Sequence, residues 1–191
     1  MKTTLQLQEI ATIQTGVYRK PDLYGDIIYL QAKHFNGNGE IVSNLPRDLK
    51  YDSRLEKHIL KNNDILFAAK GVRNFAFLYE ERLGDSIASS TFFVIKIHKK
   101  NRQVVLPEYL HWFFNQPQAQ VFFRANAKGS SLPSVSMLDL GRLEIPIPKP
   151  AEQKRILAFH ALWQKEKNIT QTLLTKKELL YQEIMRKWTA R

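Results

Sequence analysis

Three polar, glycine-containing segments carry the groups that could do chemistry in this chain. Lys33-His34-Phe35-Asn36-Gly37-Asn38 offers a cation, an aromatic ring and two amides. Ala69-Lys70-Gly71-Val72-Arg73-Asn74 places Lys70, Arg73 and Asn74 on a tight turn. The stretch from Arg124 to Ser134 gathers Arg124, Asn126, Lys128 and the hydroxyls of Ser130, Ser131 and Ser134 around Gly129. Arg and Lys can bridge guanine O6 and N7, Asn can bridge adenine N6 and N7, and hydroxyls or loop amides can hold phosphates. Taken singly, each segment reads equally as a solvated turn. Their recurrence in a basic chain points to nucleic acid.

Catalytic constellations do not appear beside them. There is no phosphate-binding Gly-x-x-x-x-Gly-Lys-Ser/Thr loop and no Gly-x-Gly-x-x-Gly turn. The five histidines, His34, His58, His98, His111 and His160, are scattered without the i, i+4 spacing of a helical metal pair. Asp64 and Lys70 share one run, but Ala68 stands where a nuclease would carry its second metal-binding acid. Ser130, Ser131, Ser134 and Ser136 lack a Gly-x-Ser-x-Gly elbow, and an Asn-Pro-Pro-Tyr amino-methylation motif is missing. The expectation is a binding protein with no catalytic residue and no metal site.

Charge and composition set the frame around these loops. The 191 residues include 29 Lys and Arg against 18 Asp and Glu, a formal charge of +11, with 43% hydrophobic residues and no cysteine. That apolar content supports a packed core. The lack of cysteine excludes disulfides, thiolate zinc sites, thiol nucleophiles and iron-sulfur clusters. No apolar window reaches membrane-spanning length and Met1-Lys2-Thr3-Thr4 opens no secretory signal, so a soluble, cytoplasmic, unprocessed protein is expected, with no membrane partner. The charge is spread: residues 1–151 hold 20 basic and 14 acidic side chains, residues 152–191 hold 9 and 4.

The elements that must position the loops are mixed. Leu5 to Ile13 reads as a short amphipathic helix ended by Thr15-Gly16. Strand-like runs follow at Ile27–Gln31, Glu40–Val42, Asp64–Lys70, Phe75–Tyr79 and Thr91–Ile97, the last richest in β-branched and aromatic residues. Pro107–Phe114 and Pro117–Ala127 read as helices opened by proline, and Arg142–Pro146 as a final strand. The fold class expected is α+β: a mixed, β-rich domain over residues 1–149, then a long C-terminal helix over 150–191.

Ile145-Pro146-Ile147-Pro148-Lys149-Pro150 marks the boundary, because three prolines in five residues favour an extended path. Beyond Pro150 there is neither Pro nor Gly, so residues 151–190 read as one helix of about 60 Å, weakest in propensity at Asn168-Ile169-Thr170. Ile156, Phe159, Trp163, Leu173, Leu180 and Ile184 fall on one stripe, interrupted by Glu166 and Lys177. Either the stripe folds back on its own domain, or it pairs with another long helix as a coiled-coil dimerisation arm.

These segments, in this order, resemble the specificity (S) subunits of type I restriction-modification systems. Leu7-Gln8-Glu9-Ile10-Ala11-Thr12-Ile13-Gln14-Thr15-Gly16 is similar to the family's opening L-x-E-I-A-x-I-x-x-G, and Leu60 to Gly71 resembles its l-x-x-G-D-I-L-x-x-x-x-G. Asn63 stands where the family usually has Gly before the acid. Ala88–Phe92, Gly129–Ser136 and Leu143–Pro148 follow in order, and Glu152-Gln153-Lys154-Arg155-Ile156 matches the start of the family's long helix. The resemblance covers nearly the whole chain, yet a typical S subunit is similar to two such units in tandem. It implies a half-subunit with one target recognition domain and one conserved-region helix, binding double-stranded DNA and directing adenine methylation and ATP-dependent cleavage by methylation (M) and restriction (R) subunits. S-adenosylmethionine, ATP and Mg²⁺ would belong to those subunits, with no cofactor in this chain. Lys70, Arg73, Asn74, Lys128, Ser130 and Ser131 are the leading DNA-contact candidates, with Lys33, Asn36, Asn38, Arg19 and Lys20 behind them. A homodimer through the C-terminal helix is expected.

Three alternatives stay open on sequence alone: the recognition domain of a fused methyltransferase-nuclease, an interaction scaffold or silent cassette without DNA specificity, and an unrecognised nuclease.

Overall fold

The computed structural model describes residues 3–22, 24–42, 44–71, 73–129 and 131–190. The chain divides into two units, Met1–Pro150 and Ala151–Arg191.

The first unit is mixed α and β. Its central sheet has the order β2-β7-β4-β5, made by Ala11–Thr15 (β2), Phe92–Ile97 (β7), Ile65–Ala68 (β4) and Ala76–Leu78 (β5), all antiparallel neighbours. Thr3–Gln6 (β1) pairs antiparallel with Glu144–Ile147 (β8), and Ile28–Leu30 (β3) pairs parallel with Ser86–Ala88 (β6). One-turn helix α1 (Leu7–Ile10) joins β1 to β2, and α2 (Pro107–Phe114), α3 (Pro117–Asn126) and α4 (Met137–Gly141) lie between β7 and β8.

β4 is the centre of the domain. All four of its residues are buried, so it reads as a continuous apolar run. Phe67 meets Phe123 of α3 at 4.6 Å and Phe114 of α2 at 5.9 Å between ring centroids. Leu66, Ala68, Phe92 and Val94 share a second cluster with Phe35, Phe75, Leu30 and Leu60. In that cluster Phe35 lies 5.5 Å from both Phe75 and Phe92 and 5.0 Å from Phe77. Such tilted and edge-on contacts add to simple area burial. Phe92→Ala is therefore expected to cost about 3–5 kcal/mol, because a fully buried ring would leave a cavity beside Phe35 and Phe75. Denaturant unfolding of the variant checks it.

β5 lies at the sheet edge, where backbone groups would otherwise be open to pairing. Asn115, just past α2, caps that edge: its side chain accepts from Ala76 N and donates to Ala76 O, both at 3.0 Å.

Several local expectations are corrected. The helix over Leu5–Ile13 is a single turn, Leu7–Ile10, flanked by strands. Long-range pairing of Thr3–Gln6 with β8 and of Ala11–Thr15 with β7 overrides the local apolar periodicity. Within the turn Glu9 still caps, accepting from Gln6 N at 2.5 Å. Glu40–Val42 forms only a bridge between Ile41 and Phe35. Strand β6 and helix α4 were not anticipated. β6 is too short for periodicity, but α4 had a signal: Ser136 Oγ accepts from Asp139 N at 3.0 Å, the capping pattern of Ser-x-x-acid.

The second unit is one helix, α5, Pro150–Thr189, 40 residues and about 60 Å long, and it runs unbroken through Asn168-Ile169-Thr170. Its apolar stripe is open: Phe159 is 73% exposed, and Trp163, Leu173, Leu180 and Ile184 are exposed as well, while Ile156 is half-buried. Among the described residues no helix is long and apolar enough to cross a membrane.

Candidate nucleic-acid interface

The three cation-bearing loops, far apart in sequence, are built into one another. The loop of residues 69–74 connects β4 to β5, and the loop of residues 127–136 connects α3 to α4. Their backbones form a clasp: Gly71 N donates to Pro133 O at 2.9 Å and Val135 N donates to Ala69 O at 3.0 Å. Within the second loop Lys128 N donates to Ser134 O and Ser134 N returns a bond to Lys128 O, at 3.0 and 2.9 Å. Ser134 thus bridges to both Lys70 and Lys128. At the clasp Gly71 adopts φ +120°, which L side chains rarely take.

The third loop, residues 33–40, joins from the other side. The Arg73 guanidinium lies against Gly37, in the space a side chain there would fill, and Gly39 lies against the ring of Phe75. Asn36 organises this loop, since its Oδ1 accepts from Asn38 N at 2.9 Å and Glu40 N at 3.0 Å, and its Nδ2 donates to Glu40 Oε2 at 2.7 Å.

The candidate residues therefore divide. Lys33, Asn38, Lys70, Arg73, Lys128 and Ser131 are exposed. Lys128 lies 3.8 Å from Asp139, which also accepts from Ser136 Oγ at 2.6 Å. With its lysine end exposed and a separation of 3.8 Å the pair adds little stability, and it leaves the lysine free to exchange partners. Asn36 and Asn74 are half-buried and engaged internally, Asn74 donating to Ala68 O at 2.8 Å. Both asparagines, named among the DNA-contact candidates, use their amides here to shape their own loops. Phe35, counted with the first loop as an aromatic contact, is buried in the core beneath it. Ser130 lies outside the described residues. Arg19 and Lys20 are exposed on a different segment, after β2, where Arg19 N donates to the Tyr29 hydroxyl at 3.1 Å. Tyr18 and Tyr24, 72% and 82% exposed, flank them, and sequence patterning gave no sign of either.

His34 anchors the first loop from below. It is buried, and its Nδ1 accepts from Gln31 N at 3.3 Å. Burial, with Lys33 adjacent, pushes its pKa below the ordinary imidazole value. His58 moves the same way for the same first reason. A depressed folded pKa means that the unfolded chain binds more protons once the pH falls below about 6.5, so this stability is present at neutral pH and lost on acidification. The urea midpoint is expected to fall between pH 7.5 and about 5.5, and His34→Gln should remove part of that slope.

Asp64, a candidate metal acid by sequence context, has a structural role: it accepts from Lys61 N at 2.9 Å and pairs with Lys96 at 3.0 Å. Among the described residues no three His, Asp or Glu side chains gather as a metal site.

A family model for the type I restriction modification DNA specificity domain matches residues 2–179. Among solved structures, the S subunit of a type I restriction-modification system from M. genitalium is 15% identical with a TM-score of 0.61, over 86% of this chain and 39% of that one. The HsdS subunit from Thermoanaerobacter tengcongensis is 14% identical with a TM-score of 0.61, over 86% and 38%. A structure describing complex assembly and conformational transition of the type I R-M system is 14% identical with a TM-score of 0.55. The chain thus shares their fold and spans under two-fifths of each. No curated protein matches it.

Proposed function

Because the chain belongs to the type I restriction-modification DNA specificity domain family, we propose that it is a sequence-recognition module for double-stranded DNA with no catalysis of its own. The observation that carries the reading is the clasp: Lys70 and Arg73 from one loop and Lys128 from another, 55 residues beyond Arg73 in sequence, are held on one connected backbone platform. A rigid core under exposed cations suits phosphate contact, and loop tips beside those phosphates can then reach base edges. The module acts in the cytoplasm, pairs through α5 with a second copy, and directs adenine methylation and ATP-dependent cleavage carried out by M and R subunits. Those subunits supply S-adenosylmethionine, ATP and Mg²⁺. A two-fold pair would read a symmetric site.

Two measurements test the reading. Duplex binding by the whole chain should weaken steeply with salt, as counterion release requires; a flat dependence would favour an interaction scaffold. Co-expression with a methyltransferase subunit should place methylated adenines at one recurrent sequence in host DNA.

A further inference from the structure

Tyr18, Arg19 and Lys20 form a second exposed group outside the clasp, and the central sheet brings it to the same end of the domain. Thr15, Phe93, Phe67 and Ala76 make one row across β2, β7, β4 and β5. The chain leaves β2 and β4 just past that row, into residues 16–20 in one case and 69–74 in the other. Two strand spacings, about 10 Å, separate the exits, less than the width of about 12 Å of a DNA major groove. Both segments also hang on consecutive residues at the entry to β7: Ala69 N donates to Thr91 O at 3.3 Å, and Gly16 N to Phe92 O at 3.0 Å.

A buried side chain sets Tyr18 on this end. The hydroxyl of Tyr29, itself buried, donates to Val17 O at 2.7 Å and accepts from Arg19 N at 3.1 Å, so it holds the backbone on both sides of Tyr18. Val17 packs against the cluster that contains Ile27, Leu49 and Ile87, and Arg19 Nη1 donates to Tyr18 O at 3.1 Å. The Tyr18 ring is left 72% exposed on a fixed backbone. A ring with only two side-chain torsions loses little entropy when a partner covers it.

We propose that Tyr18 is a base-stacking residue of the DNA interface, positioned by the Tyr29 hydroxyl, with Arg19 and Lys20 on the phosphates beside it; this rests on the DNA-recognition reading above. Base faces are closed inside a regular duplex, so the ring enters as a wedge at an opened step. Pyrimidine–purine steps open at least cost. The ring therefore reads deformability at that step, a specificity that hydrogen bonds to base edges do not supply.

Duplexes selected by the whole chain from a random pool are the probe. With iododeoxyuridine in place of thymidine, long-wavelength irradiation joins the base to an aromatic ring stacked on it, and mass spectrometry should find the joined nucleotide on Tyr18. Tyr18→Ala should weaken binding to a selected duplex by about tenfold to a hundredfold, the usual loss for one base–aromatic stack. The slope of log affinity on log salt should stay unchanged, since no cation is lost, whereas Arg19→Gln with Lys20→Gln should reduce that slope by about 2. Tyr29→Phe should lower both affinity and cross-link yield at Tyr18 with the slope unchanged. In the Tyr18→Ala background it should add nothing, as positioning through Tyr18 requires. A Tyr18→Ala chain that binds duplex as wild type, or cross-links confined to other residues, overturns the inference and leaves the DNA reading intact, because the salt dependence of the wild type judges that reading separately. If the same variant binds duplex normally but loses capture by a methyltransferase subunit, the ring belongs to a protein contact and the inference falls. A wild-type chain without salt-dependent duplex binding overturns both.

Discussion

Arg73→Glu combined with Lys128→Glu is expected to weaken duplex DNA binding by about a hundredfold or more near 0.1 M salt, and to flatten its salt dependence. Each phosphate neutralised contributes about 0.9 to the slope of log affinity on log salt, so losing two contacts removes about 2 from it. Reversing the charge adds repulsion to that loss. Both side chains are exposed and come from separate loops of one platform, so the effects should approach additivity. Folding should be spared. Lys128 is exposed and keeps only a 3.8 Å contact with the half-buried Asp139, and Arg73 rests over a glycine rather than in the core. The neutral pair Arg73→Gln and Lys128→Gln should fall between wild type and the reversal. Cognate binding unaltered by the double reversal would remove these loops from the interface.

The long helix and most strands could be read before the structure because their signals are local. Prolines lead into α5 and neither Pro nor Gly interrupts it, alternating and β-branched residues mark β7, and a continuous apolar run marks β4. The loops were also visible as polar interruptions, since Gly, Asn and cations are what exposed turns tolerate. Their assembly was not visible. The bonds from Gly71 to Pro133 and from Val135 to Ala69 join residues about 60 positions apart through backbone atoms, which leave no trace in side-chain type. The same limit explains the asparagines. Asn36 and Asn74 have the chemistry to read adenine, but an amide next to a turn is as apt to bond its own backbone, and here both do. Phe35 was ambiguous for the reason that an aromatic beside a loop can stack on a base or anchor the loop. Three neighbouring phenylalanines decide for the anchor. Leu5–Ile13 misled because helical spacing over nine residues is weaker than two strand pairings formed with distant segments.

Gly16→Ala should produce the largest loss of stability of any single methyl addition near the loops, and the reason lies in how closely the backbone crosses itself. Gly16 N donates to Phe92 O at 3.0 Å and Val17 N to Ala88 O at 2.9 Å, so the end of β2 is pressed onto the segment that leaves β6. A Cβ on Gly16 would lie 2.7 Å from Ala88 O and nearer still to Ser89 O. Both obstacles are backbone, so neither can swing aside as a side-chain tip would. Moving them is costly, because Ser89 N donates to Leu30 O at 2.8 Å, Ser89 Oγ bonds Thr91 Oγ1 at 2.6 Å, and Thr91 O accepts from Ala69 N at 3.3 Å. The displacement would therefore run into β3 and to the root of the 69–74 loop. Overpacking of this kind costs about 1–3 kcal/mol even where side chains can yield. With fixed backbone on both sides the upper end or more is expected, a fall in melting temperature of about 5–10 °C for a domain of this size. Gly71→Ala is the control. Its added methyl would meet nothing within 4 Å, and only its φ of +120° opposes the change, so its effect should stay local to the clasp. Thermal unfolding of the two variants separates the cases: a Gly16→Ala chain that melts with wild type would mean that the crossing is looser than these contacts require.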